Sequence, residues 1–61
     1  MYTLDGVDGN AYAIMAYVKN ALDETGRHRQ IETYLQQAMW GSYSNLVNVS
    51  QEYLNEINNE E

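Results

Sequence analysis

Gly26 and Gly41 cut a proline-free chain of 61 residues into three stretches, and each stretch repeats its apolar residues at helical spacing. Short joins between helices make neighbours turn back on one another. The expected fold is therefore all-α: one domain over residues 1–61, a small three-helix unit with short antiparallel connections.

The first helix is expected over about residues 10–25. Before it, Leu4-Asp5-Gly6-Val7-Asp8-Gly9-Asn10 reads as a turn, and Asp8 or Asn10 is placed to accept from the free N–H groups of the first helical turn. Ala11, Ile14, Met15, Val18, Ala21 and Leu22 form the core stripe, and Gly26 is placed as the C-terminal cap. Tyr12, Ala13, Ala16 and Tyr17 widen that stripe well beyond one face. A helix so broadly apolar is usually covered on two sides, and the second cover expected here is another copy of the chain. Met1-Tyr2-Thr3-Leu4 is suited to a short edge strand that pairs only where a second copy supplies another.

The second helix is expected over 29–40, with Ile31, Tyr34, Leu35, Ala38 and Met39 on its apolar face. Trp40 falls off that face, so it either folds back over the helix end or projects outward. The third is expected over 43–58, capped by Ser42 or Ser44, with Tyr43, Leu46, Val47, Ser50, Tyr53, Leu54 and Ile57 at helical spacing. The end, Asn58-Asn59-Glu60-Glu61, is expected to fray.

Size then bears on association. A single core of this size rarely supplies more than about 3–5 kcal/mol. With no cysteine and one histidine, neither a disulfide nor a thiolate metal site is on offer. Association is the staple left, and a homodimer is expected. No cofactor is expected. No apolar run approaches the roughly 20 residues of a membrane span, and the absence of cysteine fits a reducing cytoplasm.

Nine acids against three bases give a net charge of −6. Such a chain repels nucleic acid and anionic membranes and suits a partner protein with a basic surface. Glu52, Glu56 and Glu60, with Glu61 beyond, make an acidic row along the third helix. One helical turn separates successive carboxylates by about 5.4 Å, so the row reads either as a solvated face or as an imitation of a line of phosphates. Asp5 and Asp8 with Asn10 resemble a calcium loop only superficially. Their spacing is wrong for one and no bidentate Glu follows, so a cap and turn is expected.

Arg27-His28-Arg29 gathers two of the three bases around the only histidine. The tripeptide either pairs with Asp23 and Glu24 across the Gly26 turn or contacts a small anion. No oriented nucleophile or buried carboxylate accompanies His28, so no catalytic residue is assigned. Aromatic contact is the richer resource. Tyr12, Tyr17, Tyr34, Tyr43, Tyr53 and Trp40 occur in a chain without phenylalanine, and tyrosine and tryptophan are favoured at interface hot spots.

Asp8-Gly9-Asn10-Ala11-Tyr12-Ala13-Ile14-Met15, followed by Val18, Ala21-Leu22 and Gly26, carries a resemblance, as does Ala38-Met39 with Gly41-Ser42-Tyr43-Ser44-Asn45-Leu46. Together these runs resemble short acidic proteins encoded by bacteriophages, prophages and their bacterial hosts, over most of residues 4–57. The chain departs from that pattern at Ala16, where glycine is common. The resemblance implies a non-enzymatic accessory protein of a mobile element, at work in the bacterial host cytoplasm. There it would inhibit a host defence component such as a CRISPR effector or the Hachiman helicase–nuclease system. Under that reading Asp5, Asp8, Glu52, Glu56 and Glu60 face the basic partner and Trp40 anchors. The alternative is a small dimeric regulatory module that holds an anion such as a nucleotide between subunits, through Arg27, His28 and Arg29.

Overall fold

A computed structural model describes residues 1–60. Glu61, expected in the frayed end and beside the glutamate row, lies outside the described residues. Helix α1 spans Ala11–Glu24, α2 spans Ile31–Ala38 and α3 spans Tyr43–Glu60, with a 3-10 turn at His28–Gln30 ahead of α2. The protein is all-helical, with no strand among the described residues.

Each helix starts and stops for a local reason. Asn10, rather than Asp8, caps α1: its side-chain oxygen accepts from the Ala13 N–H at 2.8 Å. At the other end Gly26 takes φ +76°, a left-handed conformation that costs a side-chain-bearing residue about 1–2 kcal/mol. The Arg27 N–H then reaches the Leu22 carbonyl at 2.7 Å and the Gly26 N–H reaches Asp23 at 3.2 Å, so carbonyls of the last turn are satisfied. Ser42 caps α3, its hydroxyl accepting from the Asn45 N–H at 3.3 Å.

The second helix is shorter than its periodicity suggests. It stops at Ala38, two residues before the expected end, because the chain turns at Gly41 with φ +83°. Met39, expected on the core face, therefore sits at the helix cap and is 69% exposed.

The core is one cluster drawn from all three helices: Ile14, Val18, Ala21 and Leu22 from α1, Ile31, Tyr34 and Ala38 from α2, and Leu46, Leu54 and Ile57 from α3. Each fully buried branched side chain contributes about 1.5–3 kcal/mol. Ser50, also buried, turns its hydroxyl to Tyr34 at 2.6 Å, and Tyr34 packs edge-on against Tyr53. No buried side-chain polar atom among the described residues lacks a partner.

The segment before α1 belongs to the packing. Tyr2, Leu4 and Val7 pack against the core, and the Tyr2 ring meets Tyr17 edge-on. Asn58 grips the Tyr2 backbone from both sides, accepting from its N–H and donating to its carbonyl, each at 2.8 Å. A strand shared with a second copy would have to displace that grip. Part of the broad apolar face of α1 thus has an intramolecular cover on the Tyr17 side, while Tyr12 and Ala16 stay exposed. α3 is helical through Glu60, and in its last turn Asn58 holds Tyr2 while Glu60 pairs with Arg27.

Candidate protein-binding surface

Trp40 leaves the bundle where α2 meets α3. Asn45 fixes the backbone there, its side-chain amide donating to the Gln37 carbonyl at 2.8 Å and to the Trp40 carbonyl at 2.5 Å. With its main chain held and Gly41 turning next, the indole projects outward and is 80% exposed. Of the two expected positions for Trp40, the outward one is found.

Trp40 lines a depression of about 450 Å³ between α2 and α3, together with Gln36, Gln37, Asn45, Val49 and Glu52. Glu52 also lines the adjoining depression with Tyr53, Asn55 and Glu56. The two hollows share that residue, so Trp40, Glu52 and Glu56 belong to one continuous face. Tyr53 donates its hydroxyl to the Gln37 side-chain oxygen at 2.8 Å, which orients one wall. Burial pushes the Tyr53 phenol above its ordinary pKa, and the charges of Glu56 and Glu52 push it further the same way.

Glu60 does not join that face as a free charge, because it pairs with the Arg27 guanidinium. Asp5 and Asp8 are exposed in the segment before α1 and line neither depression. The Tyr43 hydroxyl donates to the Gly9 carbonyl and so ties that segment to the start of α3.

The basic tripeptide is divided. Arg27 is half-buried, donates to the Thr25 carbonyl at 3.2 Å and pairs with Glu60. His28 lies 3.3 Å from the Asp23 carboxylate, the pairing across Gly26 that charge balance suggests. Arg29 is exposed on the 3-10 turn. Two of the three side chains thus already face carboxylates of their own chain.

A second patch lies at the same end of the bundle. Tyr12, Met15, Met39, Tyr43 and Leu46 line an uncharged groove of about 350 Å³ with Ala11, Ala38, Gly41 and Ser42. Of the residues expected at a subunit contact, Tyr12 lines this groove and is 83% exposed. Ala16 is exposed, Ala13 is half-buried, and Tyr17 is engaged by Tyr2.

Sequence reasoning missed Gln36, Gln37, Asn45 and Val49. A signal existed for the two glutamines, which stand four and three residues before Trp40 and so fall beside it at helical spacing. For Asn45 the signal was weaker, since its role depends on where the α2 carbonyls end.

No family model, curated protein or solved structure matches the chain. Among the described residues no three acid or histidine side chains gather to hold a metal ion, and no helix is long and apolar enough to cross a membrane.

Proposed function

We propose that this is a non-enzymatic binding protein whose α2–α3 face docks on a basic surface of another protein. Trp40 is the anchor, and Glu52 and Glu56 are its charge partners. One observation carries the reading: a large indole stands 80% exposed on a backbone held by Asn45, beside carboxylates. Tryptophan is among the residues that dominate interface energies. Holding its backbone in advance lowers the ordering cost of binding.

The resemblance to short acidic phage and prophage proteins extends this reading. The partner is then a bacterial host protein in the cytoplasm, and the consequence of docking is inhibition of an anti-phage defence component. A homodimer formed through the uncharged Tyr12–Met39–Tyr43 groove completes the proposal, leaving the acidic face free.

The test is capture from host lysate at low and high salt, using wild type, Trp40→Ala and the Glu52→Lys/Glu56→Lys double variant. A partner retained by wild type, released by salt and lost in both variants supports the reading. Equal capture by all three proteins overturns the assignment of the face. A monomer mass at micromolar concentration overturns the dimer.

A further inference from the structure

We infer that the depression between α2 and α3 receives an arginine side chain of the partner, the guanidinium lying against the Trp40 indole and pairing with Glu52. The inference rests on the docking role of this face and names what the face recognises.

Four observations converge on that chemistry. Trp40 presents a largely bare aromatic surface in a hollow with a carboxylate in its wall. A cation over an indole face is attracted by the ring, and arginine adds planar stacking that lysine lacks. Gln36 lines the hollow and is exposed, offering a side-chain carbonyl to a second N–H of the same group. Tyr53 holds the Gln37 side-chain oxygen and Asn45 holds its main-chain carbonyl, so one wall is held before binding. Glu56 stands one helical turn from Glu52 and lines the adjoining depression, so a second carboxylate adds to the negative charge of this face. Guanidinium has five donors in a flat fork and matches a site that combines an aromatic wall, a carboxylate and amide oxygens.

The uncharged groove at Tyr12, Met39 and Tyr43 offers no such complement. A carboxylate or phosphate ligand is disfavoured by Glu52 and by the net charge of −6.

Trp40 is the only tryptophan, so its fluorescence and its indole N–H signal report this hollow alone. The probes are blocked Gly-Arg-Gly, Gly-Lys-Gly and Gly-citrulline-Gly peptides, titrated into the whole protein with the indole N–H followed by NMR. The arginine peptide should give a saturable shift, the lysine peptide a weaker one and the uncharged citrulline peptide none. Glu52→Gln should weaken the arginine response by about 1.5- to fivefold, the range of one exposed ion pair. Glu24→Gln, which removes the same charge from the far end of α1, should leave it unchanged. An equal response to citrulline, indifference to Glu52→Gln, or no shift at millimolar arginine peptide overturns the inference. Should the peptide fail while Trp40→Ala still abolishes partner capture, the docking role stands and only its arginine specificity falls. A saturable, Glu52-dependent peptide response with no partner captured would support the arginine site and overturn the docking role instead.

Discussion

The Tyr34 hydroxyl lies 2.6 Å from the Ser50 hydroxyl, and both side chains are closed off from solvent. This pair is the polar centre of an otherwise apolar core, and it joins α2 to α3. Removing either partner strands the other, but the two losses differ. Serine in a helix can turn its hydroxyl to the carbonyl four residues earlier, whereas the phenol has no such refuge. Ser50→Ala should therefore cost more than Tyr34→Phe, within the range of about 1–3 kcal/mol for a stranded buried group. The double variant should cost less than the sum of the two. Urea unfolding of all four proteins measures both differences, and strict additivity would refute the coupling.

Alkaline pH should destabilise the fold through Tyr34 and its ring neighbour Tyr53. Burial raises the Tyr34 phenol above its ordinary value of 10.0, with the Ser50 hydrogen bond opposing and Tyr53 reinforcing. Tyr53 is raised as well, by burial and then by Glu56 and Glu52. The fold thus favours the neutral phenols, and the unfolded chain ionises first. The associated stability is fully present below about pH 10, the unfolded value, and is lost as pH rises through the folded values. Urea midpoints should hold steady from neutrality to the ordinary phenol range and fall above it. Tyrosinate absorbance should show a late-titrating class that Tyr34→Phe reduces.

Trp40→Ala separates binding from folding. The indole touches little of the core, so unfolding free energy should change by no more than about 0.5 kcal/mol. Loss of an interface anchor should cost about 2 kcal/mol or more in partner affinity. Paired denaturation and binding measurements decide this, and a large stability loss would show that the ring packs in solution.

Asn58→Ala should free the N-terminal segment selectively. It removes two hydrogen bonds to the Tyr2 backbone, at about 0.5–1.5 kcal/mol net each. Amide exchange should accelerate over residues 2–7 and at Tyr17's neighbours, with α2 unchanged. Uniform acceleration across all helices would instead mean that the segment opens only with the whole molecule.

Local signals carried much of this architecture. Asn10 and Gly26 bracket α1 within one residue of its expected limits because caps act on their own helix ends. Ile14, Val18, Leu22, Tyr34, Leu46, Leu54 and Ile57 are buried as their spacing requires. Met39 departs from its expected place because periodicity extends a stripe without knowing where a helix stops, and the turn at Gly41 stops it. The breadth of α1 is ambiguous for another reason. Tyr2, which covers the Tyr17 side, is held by Asn58 at the opposite end of the sequence, and no spacing rule links them. For the surface, spacing along α3 places Glu52 and Glu56 on one face, but the pairing of Glu60 with Arg27 depends on the packed geometry.

The grip of Asn58 on Tyr2, with the Arg27–Glu60 pair beside it, gives the bundle a handle pole. Trp40 stands at the opposite pole, where α2 passes into α3. An affinity tag or biosensor tether grafted at either end of the described chain would therefore leave from the handle pole. The immobilised protein would present its indole outward in a uniform orientation.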